Sequence, residues 1–119
     1  MEANKIQSYR DLIVWQKAMN LVVLVYQLTD KYPKSEIYGL VSQSRRCAVS
    51  IPSNIAEGSR RGTNKDFAQF LRIAMGSASE LETQLSIVER LGYATTTEIR
   101  ENVREILKML NKLISALKV

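Results

Sequence analysis

The chain of 119 residues contains no histidine. That absence removes the Glu-x-x-His pairs of di-iron bundles, the usual zinc constellations, and every serine or cysteine triad that relays a proton through imidazole. Small helical ribonucleases that pair an arginine with a histidine are excluded for the same reason. The single cysteine, Cys47, cannot form an internal disulfide, and its place beside a helical seam reads as a small apolar group in a reducing cytoplasm. Long apolar runs are missing too. The longest, Leu21 to Val25, falls far below the roughly 20 residues that cross a bilayer, and the polar start MEANKIQSYR has no signal region. The expectation is a soluble cytoplasmic protein without membrane contact. Aromatics make up only 7% of residues, so aliphatic side chains must carry the core. There is no P-loop and no dinucleotide fingerprint, because the glycines of EGSRRG lack both the spacing and the preceding strand. No cofactor is expected.

Proline is scarce, and one of the two, Pro52, falls inside a helical repeat. Ile37, Val41, Ser44, Ala48, Ile51, Ile55 and Gly58 recur at alternating intervals of four and three, the seam of a helix packed at a shallow angle. A proline there removes one backbone hydrogen bond and presses its ring on the Ala48 carbonyl, a cost of roughly 3 kcal/mol. A bend is expected at Pro52, with Ser50, Ser53 and Asn54 close enough to satisfy the freed groups.

Start and stop signals divide the chain into four helical segments. Ser8 and Asp11 have capping-box spacing and would open a first helix running to about Lys31; Tyr32, Pro33 and Lys34 break it. Ser35 would cap the second helix, which continues to about Gly58, and the Gly58 to Gly62 stretch would supply left-handed positions at its end. Thr63 with Asp66 opens the third, whose seam is Phe67, Leu71, Ala74, Ala78, Leu81, Leu85 and Val88 and which ends near Gly92. Thr95 with Glu98 opens the fourth. No segment shows sustained period-two alternation. The fold class is therefore all-α: a single domain, residues 1–119, forming an antiparallel up-down-up-down four-helix bundle with helix two bent at Pro52 and residues 1–8 flexible.

Helix one carries more apolar surface than one core can use. At about 100° per residue, Leu12, Trp15, Ala18, Met19, Leu21, Val22, Val23, Val25, Tyr26 and Leu28 cover well over half its circumference, more than the stripe of an ordinary surface helix. A second buried face against another subunit is expected, with Trp15, Val22 and Tyr26 in it; the alternative is that Trp15 and Tyr26 cover the ends of their own core. On helix three, Gly76, Ser77 and Ser79 offer a place for a neighbouring helix to approach closely.

The formal charge of +5 is unevenly placed. Lys65, Arg72 and Arg90 against Asp66, Glu80, Glu82 and Glu89 leave residues 63–93 slightly negative, so the basic excess lies elsewhere. Arg100, Arg104, Lys108 and Lys112 form a slowly winding stripe on helix four, opposite the apolar arc of Ile99, Val103, Ile106, Leu110, Leu113 and Leu117. Arg60, Arg61 and Lys65 cluster between helices two and three, with Arg72 two turns beyond Lys65, and Arg45 and Arg46 lie on helix two. Such groups meet phosphates without reading sequence. The plain alternative is a solvated face neutralised by neighbours such as Glu101 and Glu105. Arg46, Ser53 and Arg60 share one outward line of helix two, and Ser50 and Glu57 the next. That ridge is either a contact surface or, the favoured reading, a structural network in which Asn54 and Glu57 bind backbone opened by Pro52 and anchor Arg46 or Arg60. Glu57, Glu80 and Glu82 are candidates for a hard metal, but Glu80 and Glu82 point about 200° apart on one helix, so no metal site is assigned.

The run SIPSNIAEG and the basic residues after it, with DLIVWQKA from Asp11 to Ala18 before and GSASELETQL from Gly76 to Leu85 behind, resembles the 23S rRNA-intervening sequence proteins. These are small bacterial four-helix-bundle proteins related to the accessory proteins of diversity-generating retroelements. The resemblance extends from about Tyr9 to Lys118. It implies the bundle fold, with Ser50, Pro52, Ser53, Asn54, Glu57 and Gly58 as the family motif, and a closed homo-oligomeric ring, typically a pentamer. It also implies two roles. One is a non-enzymatic accessory factor that binds RNA or DNA backbone without base readout, through the basic residues named above. The alternative is a scaffold that docks a partner protein such as a reverse transcriptase.

Overall fold

The computed structural model describes residues 8–119. The flexibility expected of residues 1–7 lies outside the described residues, while Ser8 is held: its backbone N–H donates to Asp11 Oδ2 and its hydroxyl accepts from the Arg10 N–H. The capping box thus forms, but it closes a separate 3-10 turn, Tyr9–Asp11, and extended backbone at Leu12 interrupts the chain before α1 begins. The helices are α1 (Ile13–Thr29), α2 (Ser42–Ser59), α3 (Asn64–Arg90) and α4 (Thr97–Leu117), and no strand occurs among the described residues.

Contacts between neighbouring helices run in reversed sequence order. Ser44 meets Gln84 while Gly58 lies against Phe70; Glu82 pairs with Arg104 while Glu89 pairs with Arg100; Lys17 of α1 pairs with Glu105 of α4. These contacts set α3 antiparallel to both α2 and α4, and the Lys17–Glu105 pair brings the last helix against the first. The body measures 50 × 24 × 18 Å.

The heptad seams point where their spacing requires. On α3, Leu71, Ala74, Ala78, Leu81, Leu85 and Val88 are all fully buried, and on α2 so are Ala48, Ile51 and Ile55. Alanine at these positions lets α2 and α3 approach closely, and Gly58 carries this further: a Cβ there would stand 2.6 Å from Phe70 Cβ. Gly58 is therefore a packing glycine inside α2 and not part of a left-handed helix end. That conformation falls to Gly62 (φ 94°), and Gly92 (φ 77°) follows the end of α3 in the same way.

The entry to α2 departs from expectation. Ser35 does not cap it. A 3-10 turn, Lys34–Glu36, leads into a π turn, Ile37–Val41, in which Gly39 leaves helical geometry (φ −109°, ψ −111°). The Glu36 carboxylate accepts from Leu40 N–H and, through its other oxygen, from the Tyr93 hydroxyl, so it ties this turn to the chain following α3. The shift turns Ile37 out of the seam to 49% exposure. Through Pro52, by contrast, α2 is uninterrupted. Ser53 and Asn54 donate to the carbonyls of Val49 and Ser50, which follow the Ala48 carbonyl that the proline leaves without its donor.

The start of α4 also differs from its sequence signal. Thr95 and Glu98 form no box; instead Glu89, at the end of α3, accepts from the Thr96 backbone N–H at 2.7 Å, while the buried Thr96 hydroxyl donates to the Leu85 carbonyl. An acceptor reaching across from the previous helix does the work of a local cap.

Candidate nucleic-acid interface and subunit faces

The ten basic residues expected to meet phosphate fall into two groups. Four are committed to the bundle. Arg45 donates through Nε to Thr29 Oγ1 (2.8 Å), pairs with Asp30 (2.9 Å) and lies 4.4 Å from the centre of the Tyr26 ring. Arg61 pairs with Glu57 (2.8 Å) and stacks over Phe70. Arg100 binds Glu89 (3.0 Å) and Thr96, and Arg104 binds Glu82 (2.7 Å). The helix-four stripe is thus half consumed in cross-helix pairs with α3. Its neutralising partners are not Glu101 and Glu105, the latter being joined to Lys17 at 2.9 Å.

The second group is free of carboxylates. Arg46, Arg60, Lys65, Arg72, Lys108 and Lys112 are exposed, and none has an ion-pair partner among the described residues. Arg60 lies 5.3 Å from the Tyr9 ring, where Tyr9 also meets Trp15 edge to face at 5.2 Å and Arg10 covers both rings. The antiparallel register puts four of these cations at the same end of the α3–α4 pair. Arg104 stands beside Glu82, and Asn64 reaches the Leu117 carbonyl, so Lys108 and Lys112 run alongside the stretch of α3 that carries Lys65 and Arg72. No carboxylate follows Glu105 on α4, and between Asn64 and Glu82 the facing helix has only Asp66 and Glu80.

The motif ridge resolves into a polar network. Ser50 Oγ accepts from Asn54 Nδ2 (2.9 Å) and from Ser77 Oγ (2.9 Å), which links α2 to α3 and takes Ser77 out of the outward-facing set. Glu57 anchors Arg61, not the expected Arg46 or Arg60. Ser53 remains exposed beside Arg46 and Arg60. Nearby, Ser44 Oγ donates to Gln84 Oε1, and Gln84 Nε2 approaches Gln43 and Cys47. Burial, and then the charge of Glu80, push the Cys47 thiol up, so it stays protonated. Glu57 is held by Arg61 of the loop after α2 and Glu82 by Arg104 of α4, and no group of three or more Cys, Asp or Glu side chains suited to a metal occurs among the described residues. No helix among them is long and apolar enough to cross a membrane.

The residues expected at a subunit contact are differently placed. Tyr26 is 42% exposed at its edge, with Arg45 over its face; Trp15 and Val22 are half-buried against the core. Their neighbours Met19 and Val23 on the same side of the helix are exposed, and Ile13 at the start of α1 is more exposed still. Gly76 and Ser79 are exposed on α3, and nothing approaches Gly76 within 4 Å of where a Cβ would stand. Periodicity alone could have found Met19 and Val23, since they share the arc of Trp15, Val22 and Tyr26.

The family model for the 23S rRNA-intervening sequence protein matches residues 10–114. Among solved structures, the chain is similar to a protein of unknown function from the S23 ribosomal protein family of Bacteroides thetaiotaomicron. The two share 27% identity over 87% of this chain and 96% of that one, with a TM-score of 0.79. No curated protein matches.

Proposed function

The chain belongs to the 23S rRNA-intervening sequence protein family, and from that premise we propose that it is a non-enzymatic, homo-oligomeric accessory factor that binds nucleic-acid backbone without reading sequence. The observation that carries this reading is one end of the α3–α4 pair, where Lys65, Arg72, Lys108 and Lys112 have no ion-pair partner among the described residues and sit in a stretch poor in carboxylates. Phosphate contacts of this kind release counterions and bind every sequence alike. Several copies in one assembly present several weak patches, which together hold a long polyanion by avidity. The outer face of α1, with Met19, Val23 and Tyr26 exposed, supports the self-association.

The test is light scattering with and without a long structured RNA across a salt series, repeated with Lys65, Arg72, Lys108 and Lys112 neutralised together. An oligomer that shifts with RNA, releases it as salt rises and loses most of its affinity in the neutralised variant supports the reading. An oligomer indifferent to RNA at low salt overturns it and favours a scaffold for a partner protein.

A further inference from the structure

The irregular turn between α1 and α2 borders a cleft of about 930 Å³ that the polyanion reading leaves unused. Its volume lies within the roughly 300–1,000 Å³ of small-molecule sites. Ile37, Val41, Val49 and the Tyr26 ring give it apolar lining. Three cations, Lys34, Arg45 and Arg46, face one carboxylate, Asp30, and Asp30 is already taken by Arg45 at 2.9 Å. Lys34 and Arg46 are left without a partner, and the cleft is positive.

Tyr32 also lines this cleft, and it supplies a separate observation. Its side chain is 6% exposed, and its hydroxyl is buried with no hydrogen-bond partner. Buried hydroxyls are ordinarily paired, and an orphan marks a position where an acceptor is missing. The neighbouring Tyr93, whose ring centre lies 6.0 Å away, donates its hydroxyl to Glu36 and makes no bond to Tyr32. Burial raises the Tyr32 phenol to about 12, so it keeps its proton and remains a donor at neutral pH.

We infer that this cleft binds a small organic anion, with its apolar body against Ile37, Val41 and Val49 and its carboxylate at Arg46 and Lys34. A cation pair with apolar walls selects an amphipathic acid over both inorganic phosphate and a neutral hydrocarbon. The site is separate from the α3–α4 cations, so its failure would leave the polyanion reading standing.

The probe is 1-naphthoate, titrated into the isotope-labelled full chain and followed by backbone amide shifts, with the uncharged 1-naphthalenemethanol as control. The expected result is saturable shifts centred on Val41, Ser42, Arg46 and Val49, with the alcohol binding far more weakly. Arg46→Ala should weaken 1-naphthoate roughly tenfold, as loss of a charged hydrogen bond does. Tyr32→Phe should leave affinity unchanged, since the hydroxyl it removes is sealed from the cleft, and should leave the thermal midpoint unchanged or raised. Arg46 is exposed, and the Tyr32 change deletes one oxygen, so both variants should fold; their midpoints check this. Absence of saturable shifts at the cleft, equal binding of the alcohol, or unchanged affinity in Arg46→Ala overturns the proposal.

Discussion

The hydroxyl of Ser44 donates to Gln84 Oε1 at 3.0 Å, a buried bond across the α2–α3 seam between residues 40 positions apart. Gln84 Nε2 also reaches Gln43 and Cys47, but the buried Ser44 hydroxyl depends on Gln84 Oε1. Gln84→Met keeps the volume and removes the acceptor, leaving the Ser44 hydroxyl unpaired at a cost of about 1–3 kcal/mol. Adding Ser44→Ala removes the orphan. Urea denaturation should therefore show the double variant to be more stable than Gln84→Met alone, a reversal that a simple loss of packing would not produce.

Gly58 gives the second prediction. A Cβ at this position meets Phe70 Cβ at 2.6 Å and Phe67 Cδ1 at 3.1 Å. Both rings belong to the opposing helix, and the Cβ of Phe70 cannot rotate away. Gly58→Ala should destabilise the bundle by about 1–3 kcal/mol through overpacking, despite the better helix propensity of alanine. A rise in the denaturation midpoint would show that α2 and α3 are less tightly apposed.

The seams of α2, α3 and α4 were legible in the sequence because one residue type at a fixed period suffices to bury a helix face, and Leu71 to Val88 kept that period without interruption. Gly58 was read rightly as the last seam position but wrongly as the start of the left-handed stretch, because a glycine near a helix end suits a turn and a close contact equally well; only Phe70 across the gap decides between them. The spacing of Ile37 and Val41 also fitted the seam, yet nothing local announced that Gly39 would break it. Arg100 and Arg104 were recognised as cations, but Glu89 and Glu82 lie eleven and twenty-two positions away. Pairing at that range depends on the α3–α4 register and not on neighbouring letters. The orphan hydroxyl of Tyr32 is a property of packing alone.

Glu89 sets an acid-dependent contribution. Donation from the Thr96 backbone N–H, followed by the charge and hydrogen bonds of Arg100 and the Thr96 hydroxyl, holds its carboxyl below the ordinary glutamate value, against a smaller opposing effect of burial. A carboxyl depressed in the folded state stabilises it above the unfolded value, and the gain is lost as pH falls through the folded one. Glu89→Gln should therefore melt below the parent at neutral pH, with the gap closing as pH falls below the ordinary glutamate value. A gap independent of pH would assign the effect to geometry instead of charge.

The outer face of α1 gives a prediction about assembly. Val23 is 55% exposed and makes little use of its own core, so Val23→Asp should leave the thermal midpoint of an isolated subunit nearly unchanged. In an assembly that buries this face, the same change places a carboxylate in apolar surroundings and should dissociate it. Light scattering of the parent and the variant reads the difference directly; equal masses would remove α1 from the subunit contact.

The two halves of the α4 stripe should separate into structural and binding residues. Arg100 and Arg104 are joined to Glu89 and Glu82, and an arginine already bonded to a carboxylate offers little to phosphate without first losing that bond. Arg100→Ala should lower the thermal midpoint, because the Arg100 side chain is only 18% exposed, and should change RNA affinity little. Lys108→Ala with Lys112→Ala should do the reverse. Both are exposed and unpaired, so stability should hold, while the slope of log affinity against log salt should fall by roughly 0.7 per lysine on single-stranded RNA. If instead the arginine variant carries the loss of affinity, the cross-helix pairs open on binding, and the whole stripe acts as one surface.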